Sequence, residues 1–276
     1  MQRLKSIFDF YISSSIHVAL AVSSLSYLTL LRYNLPLDIN LLVFIFFASI
    51  TGYNFVKYFG LAKFHHRSLA KRLKFIQVFS LICFVLMVYF VFQLDIATII
   101  LLSVFALITF LYAVPILPTR LFMDETQKLR SVSGLKVYLI ALIWSGVTVI
   151  LPLTNADTLF DVTVVISFVQ RFMFVLALML PFEIRDLNYD SLKLATIPQR
   201  IGVRYTKLMG CLLLAGMCLL EIISPLSSIK SLTAVGLVAT ISAIFVSFSR
   251  IDQNRYYSGF FVEAIPILWL LLAMIL

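Results

Sequence analysis

The sequence predicts an all-α membrane protein that crosses the bilayer many times, and three observations lead to this prediction. Of its 276 residues, 62% are hydrophobic and 13% are charged, whereas soluble domains are about 45–50% apolar and about 25% charged. The mean hydropathy is +1.04. Apolar runs long enough to cross a hydrocarbon core of about 30 Å recur along the chain. Because these runs lack the alternation of barrel strands, and lipid cannot satisfy an exposed backbone, they are expected to be helices.

We predict nine membrane spans, which together make one integral membrane domain over residues 1–276. In chain order they cover residues 12–31, 41–59, 75–92, 96–114, 137–153, 162–182, 208–223, 232–248 and 260–276. The loops after the second, fourth and sixth spans are long and polar, whereas those on the opposite side are short. Long loops in a compact protein usually carry function, so we expect the functional site on the side of these loops.

The basic residues predict which side faces the cytoplasm. Nearly all of the 22 Lys and Arg residues lie in the N-terminal segment or after the second, fourth, sixth and eighth spans. The exceptions are Arg32 and Lys230 on the other side and Arg171 inside a span. Cytoplasmic loops carry such an excess, which predicts N-in, C-out topology in a cytoplasmic or inner membrane. The net charge of +9 is then explained by topology and anionic lipids, and no nucleic-acid partner is predicted.

The cysteine and histidine residues do not predict a disulfide or a zinc site. Cys83, Cys211 and Cys218 all fall inside apolar spans, without the spacing of metal ligands. His65 and His66 are adjacent, so they cannot share a helix face as two ligands at i and i+4 do. We therefore look for the site among the carboxylates.

Three acidic residues collect after the sixth apolar run, in the stretch FEIRDLNYD. Glu183, Asp186 and Asp190 are separated by three and then four residues, so on a continuing helix they share one face. Stacked carboxylates repel one another unless they hold a cation, and Mg²⁺ typically takes one or two carboxylates together with phosphate oxygens. The alternative is local pairing with Arg185 or Lys193. Because acids at membrane depth are costly, we predict a metal or phosphate site here, facing the cytoplasm.

The region around these acids resembles the UbiA superfamily of intramembrane prenyltransferases. The segment EIRDLNYDSLKLATIPQRIG is similar to the family's second aspartate-rich motif, with D-x-x-x-D at Asp186 and Asp190 and T-x-P-x-x-x-G from Thr196 to Gly202. LYAVPILPTR and LRSVSGLKVYLIALIWSG resemble the family's connection between its fourth and fifth helices. Nine helices with long inner loops also match its organisation, so the resemblance covers nearly the whole chain.

This resemblance implies a prenyltransferase that moves an isoprenoid chain from a prenyl diphosphate to a small acceptor, an aromatic compound or quinone precursor. In such a reaction Mg²⁺ neutralises the leaving diphosphate, and apolar walls shield the carbocation from water. Asp186 and Asp190 are expected to hold the metal, with Glu183 as a third ligand or a partner of the ligands. The expected substrate contacts are Asn54, Lys57, Tyr58, Tyr112, Arg120, Arg185 and Lys193. Membrane lipids are expected partners, and no protein partner is implied.

One part of the family's pattern is absent. Its first motif, N-D-x-x-D-x-x-x-D, is expected after the second span, where this chain reads YNFVKYFGLA. Asn54 matches, but Phe55, Tyr58 and Ala62 replace the acids, so half of a two-metal clamp is missing. Three interpretations stay open. One metal suffices and cations such as Lys57 replace the other; the protein binds an isoprenoid or quinone-like lipid without catalysis; or its donor and acceptor differ from the usual pair.

Arg171 stands in the middle of the sixth span. A charge at the bilayer centre costs at least about 2.5 kcal/mol, so we expect Arg171 to face the interior, paired with Glu221, or to snorkel toward the interface. A transporter is a further class to consider, but transporters place ion sites near the midplane, whereas the carboxylates lie at the inner boundary. Only Arg171 favours transport.

Overall fold

The computed structural model describes residues 2–58, 67–113, 134–188 and 195–276, and within these ranges all regular secondary structure is helical. The elements are α1 Gln2–Ser13, α2 Ile16–Arg32, α3 Ile39–Tyr58, α4 Arg67–Val91, α5 Ile96–Ala113, α6 Leu135–Ser145, a first π-helix Gly146–Ile150, α7 Leu151–Asn155, α8 Val162–Asp186, α9 Ile197–Ile223, α10 Ile229–Phe248, a second π-helix Tyr257–Val262 and α11 Glu263–Ile275. The predicted all-α class is confirmed for the described ranges.

Seven helical segments in these ranges are long and apolar enough to cross a membrane. Helices α6 and α7 form one such segment with the first π-helix between them, and α11 forms another with the second π-helix. The bent pair of α1 and α2 makes an eighth segment if it counts as one span, and α5 is apolar but shorter. Each of the nine predicted runs overlaps a helix, while length and composition support seven or eight as spans.

Helices α2 and α8 form the centre of the bundle. Helix α2 packs against α3, α11 and the first π-helix, and α8 packs against α9 and α6. Their inner faces bury Leu25, Phe174 and Leu180 completely. Large apolar side chains such as Leu107 and Leu212 are instead exposed on the outside. Because lipid tails are as apolar as leucine, an outer surface of apolar side chains suits a protein inside a membrane.

The chain turns sharply between α1 and α2. The two helices meet at 54°, and Ser15 has a φ of +65°, in the left-handed region that residues other than glycine seldom adopt. Asn54 of α3 fixes this turn, because its Nδ2 donates to the Ser14 carbonyl oxygen at 3.0 Å and its Oδ1 accepts from Ser15 Oγ at 2.8 Å. Nδ2 also donates to Ser80 Oγ of α4 at 2.7 Å. Helix α1 is thereby held at a defined angle to the bundle.

The T-x-P-x-x-x-G stretch shapes the start of α9. The Thr196 N–H donates to Gln199 Oε1 at 2.9 Å, and Pro198 lies in the first turn, where its missing amide hydrogen has no partner to lose. Gly202 has a φ of +78° at a kink, a conformation that favours glycine. Thr196, Pro198 and Gly202 therefore each have a local structural role at the start of α9.

Arg171 faces the bundle interior, but the predicted pairing with Glu221 is wrong. Its Nη1 donates to the Leu25 carbonyl oxygen at 2.8 Å, and the guanidinium lies 5.1 Å from the centre of the Trp269 ring. Glu221 accepts instead from Arg32 Nη1 at 2.7 Å, because Arg32 ends α2 at the level where α9 carries this acid. Contacts inside the bundle account for Arg171, the one feature that favoured transport.

Candidate functional site

A cavity of about 350 Å³ opens at the end of the bundle where α3 and α8 end and α6 and the second π-helix begin. This is the end predicted to face the cytoplasm. Its charged lining consists of Asp9, Glu183, Asp186, Glu263, Lys57, Lys136, Arg185 and Arg255. Most of the remaining lining is apolar or aromatic and includes Val18, Tyr53, Val137, Ile140, Met179 and Phe182. The cavity thus joins an ionic region to an apolar wall.

Glu183 and Asp186 lie in the last turn of α8, and both line the cavity. Glu183 is only 2% exposed, and its Oε1 accepts from Lys136 Nζ of α6 at 3.2 Å. Asp186 accepts two bonds from Arg185, at 2.7 Å from Nε and 3.2 Å from Nη2. Both carboxylates line a cavity, as a metal or phosphate site requires. Each also pairs with a neighbouring basic side chain, which was the alternative interpretation of the sequence.

Arg185 connects the end of α8 to the second π-helix. Besides its two bonds to Asp186, its Nη1 donates to Ser258 Oγ at 2.8 Å. Its guanidinium also lies 5.4 Å from the centre of the Phe182 ring, within reach of a cation–π attraction. The planar guanidinium is thus fixed on three sides while it borders the cavity.

Lys57 reaches the cavity from the last turn of α3. Its Nζ makes two long hydrogen bonds of 3.4 Å, to the Ser13 carbonyl oxygen and to Ser15 Oγ. Asn54 lies one turn earlier, where its amide ties the turn between α1 and α2, and it is not part of the cavity lining. The structure therefore places Lys57 in the same cavity as the carboxylates of α8, whereas the Asn54 side chain stabilises the turn between α1 and α2.

A second cluster closes the cavity beside α1. Asp9 Oδ1 accepts from Arg255 Nη2 and from the Tyr256 hydroxyl, and Arg255 Nη2 also donates to the Tyr256 hydroxyl at 2.7 Å. The Tyr256 hydroxyl and the Asp9 carboxylate raise the pKa of Arg255 above its usual value. These contacts join α1 to the segment that precedes the second π-helix.

Sequence reasoning missed four charged cavity residues, Asp9, Lys136, Arg255 and Glu263. Lys136 counts toward the basic loops in a topology argument, which hides its role as the partner of Glu183. Glu263 begins α11 within the apolar run FFVEAIPILWL. An acid inside such a run is costly, and this was the signal in the sequence that sequence reasoning overlooked.

Several predicted site residues lie outside the part of the chain that the structure describes. These are Asp190, Lys193 and Arg120, together with the side chains of Tyr58 and Tyr112. His65 and His66 lie outside it too. Within the described part, no three His, Cys, Asp or Glu side chains are close enough to hold a metal ion. The described residues alone do not form a metal site, and Mg²⁺ stays a prediction.

The fold and this cavity define a polytopic membrane bundle with an ionic site at one end. No protein-family model matches the chain, and no curated protein sequence is similar enough to be matched. Solved structures share its fold. The apo structure of a UbiA homologue from Aeropyrum pernix K1 has a TM-score of 0.64 at 14% identity, over 94% of this chain and 98% of that one. A digeranylgeranylglyceryl phosphate synthase has a TM-score of 0.58 at 15% identity, over 100% of this chain and 98% of that one.

At these identities the comparisons establish the fold. The structural neighbours are UbiA-family prenyltransferases, matched over nearly the full length of both chains. The predicted resemblance is therefore confirmed in its architecture.

Proposed function

We propose that the protein is a membrane-embedded prenyltransferase that moves an isoprenoid chain from a prenyl diphosphate to a small acceptor, an aromatic compound or quinone precursor. The observation that carries this proposal is the cavity, in which basic side chains stand beside an apolar wall. It lies in a fold shared with UbiA-family prenyltransferases. A diphosphate with a hydrocarbon tail needs both surfaces at once.

The basic side chains supply what the leaving group requires. As the allylic C–O bond breaks, its electron pair goes to the diphosphate, and the added negative charge is stabilised by fixed cations. Lys136 and Arg185 border the cavity in positions to do this. Arg185 also offers a fork that matches phosphate oxygens. The carbocation left behind is captured by the acceptor, and an apolar wall of residues such as Ile140 and Met179 keeps water away.

The proposal includes nine spans, N-in, C-out orientation in a cytoplasmic or inner membrane and a site open to the cytoplasm. It also includes dependence on Mg²⁺, with Asp186 and Asp190 as ligands and Glu183 beside them. The steps above are those of the chain's own side chains, and a bound Mg²⁺ would add to the neutralisation of the leaving diphosphate. Titration with EDTA tests the metal requirement, and thiol labelling of single cysteines placed in opposite loops tests the orientation.

A second candidate function is binding of an isoprenoid or quinone-like lipid without catalysis. The observation that favours it is that Glu183 and Asp186 already pair with Lys136 and Arg185. Such pairs occupy the oxygens that a metal would use. This candidate predicts that Asp186→Asn leaves cellular function intact.

The deciding experiment incubates purified protein with labelled geranyl, farnesyl and geranylgeranyl diphosphates, with Mg²⁺ or EDTA, and measures both diphosphate release and binding. We expect at least one chain length to be bound and cleaved, and Asp186→Asn and Lys136→Met to reduce cleavage. The matched control is Asp157→Asn, which changes an exposed acid outside the cavity. Binding without release favours the second candidate. The proposal fails if neither occurs with any chain length.

A further inference from the structure

Glu263 holds a distinct position in the cavity. It is the first residue of α11, the last helix of the chain, directly after the second π-helix, and it lines the cavity. Its neighbours Val262 and Ile265 are buried in the apolar core. The π-helix matters here because its wider turn changes which side chain faces inward, and such turns are frequent at functional sites.

The other three acids of the cavity have strong partners. Asp186 is held by Arg185, Glu183 by Lys136, and Asp9 by Arg255. Among the described residues, the Glu263 carboxylate accepts no hydrogen bond and forms no ion pair. Its oxygen lone pairs are therefore open toward the cavity, which a proton acceptor requires.

Charged and titratable groups surround Glu263 from three directions. Lys57 of α3 and Arg185 of α8 attract its negative charge across the cavity, and Tyr11 of α1 lies near enough to feel that charge. In the described ranges the Lys57 ammonium makes only two hydrogen bonds, both of 3.4 Å, so it is also available to a ligand.

We propose that Lys57 and Glu263 form the subsite for the acceptor, and that Glu263 takes up the proton that the acceptor loses. This inference rests on the proposed function. The subsite suits a compound that offers an O–H or N–H to Glu263 and an anionic or hydrogen-bond-accepting group to Lys57.

The allylic C–O bond of the donor breaks and its electron pair leaves with the diphosphate. An electron pair of the acceptor forms the new bond to the prenyl carbon, and the displaced acceptor proton moves to the Glu263 carboxylate. A role as a metal ligand has less support, because the described residues bring no group of three ligands together around Glu263.

The test compares wild type, Glu263→Gln, Glu263→Asp and the control Asp157→Asn in two assays. One assay follows binding of geranylgeranyl diphosphate, which reports on the donor side. The other follows transfer to 4-hydroxybenzoate and to 1,4-dihydroxy-2-naphthoate across pH. A proton acceptor typically contributes about 10²- to 10⁴-fold to rate, so we expect Glu263→Gln to lower kcat for transfer at least about 100-fold.

Further outcomes separate proton transfer from a structural role. Donor binding by Glu263→Gln should stay within about threefold of wild type, and Glu263→Asp should restore part of the rate. Wild-type transfer should fall as the pH drops through the pKa of Glu263, since the neutral acid accepts no proton, and Glu263→Gln should lack this limb. Wild-type activity that Glu263→Gln leaves unchanged, or equal losses in both assays, overturns this inference alone. Donor binding by wild type without transfer to either acceptor also overturns this inference alone, whereas a wild type that neither binds nor cleaves the donor overturns the proposed function, and this inference with it.

Discussion

Asn54 provides a direct test of whether the residue that matches the first motif serves the substrate or the fold. Replacing Asn54 with alanine removes hydrogen bonds of 2.7, 2.8 and 3.0 Å to Ser80, Ser15 and Ser14. Hydrogen bonds between membrane helices contribute about 0.6 kcal/mol on average and about 1.7 at most. Asn54 is 3% exposed, so water does not replace these bonds. We therefore expect Asn54→Ala to lower the free energy of unfolding by about 2 kcal/mol.

The measurement is reversible unfolding of purified protein in mixed micelles with increasing SDS, followed by tryptophan fluorescence. Ser80→Ala is the matched control, because it removes one of the three bonds and should cost about 0.6 kcal/mol. The affinity of folded Asn54→Ala for pyrophosphate should stay close to that of wild type. Unchanged unfolding together with a loss of affinity of about tenfold, equal to about 1.4 kcal/mol, would show that Asn54 contacts the substrate and that the structural reasoning is wrong.

Three further predictions concern elements away from the cavity. The Asp161 carboxylate caps α8, and its bond from a backbone N–H holds its pKa below the usual range. Its stabilisation is therefore present above about pH 4 and is lost as the pH falls through the lowered pKa, so Asp161→Asn should flatten the acid limb of the thermal midpoint. Glu221→Gln leaves Arg32, whose side chain is 12% exposed, without its carboxylate partner and should cost about 3 kcal/mol of unfolding free energy. Adding Arg32→Met should recover most of this loss. Gly210→Ala places a Cβ 2.7 Å from Val246 Cγ1 and should lower the free energy of unfolding by about 1–3 kcal/mol. Val246→Ala should relieve this loss, and an equal loss with Val246 and with Ala at that position would contradict the contact.

The positions of the helices could be predicted because a bilayer leaves the chain few alternatives. An apolar run of sufficient length has to satisfy its backbone internally, so composition alone decides for a helix. The turn at Ser15 could not be predicted, since no glycine or proline marks it and contacts with Asn54 from another helix hold it. The two π-helices could not be predicted either, because an apolar run does not reveal where one extra residue is inserted into a helical turn.

The site could be predicted in part. The spacing of Glu183 and Asp186 placed both acids on one helix end, where the structure has them. Their partners could not be deduced, because Lys136 is 47 residues from Glu183 in sequence and only packing of α6 against α8 brings them together. Glu263 is more distant still, and its place in the cavity depends on α11 lying next to α2.

The charge pattern of the cavity indicates where a ligand makes its first contacts. Four acids and four bases line it among the described residues, and most of them already neutralise one another. An anion that binds Lys136 or Arg185 has to compete with a carboxylate, whereas one that binds Lys57 gives up only two long hydrogen bonds. A donor group that reaches Glu263 displaces no described hydrogen bond. Affinity for the acceptor should therefore depend first on Lys57 and Glu263, and the paired carboxylates should respond only after a base has been drawn away from them.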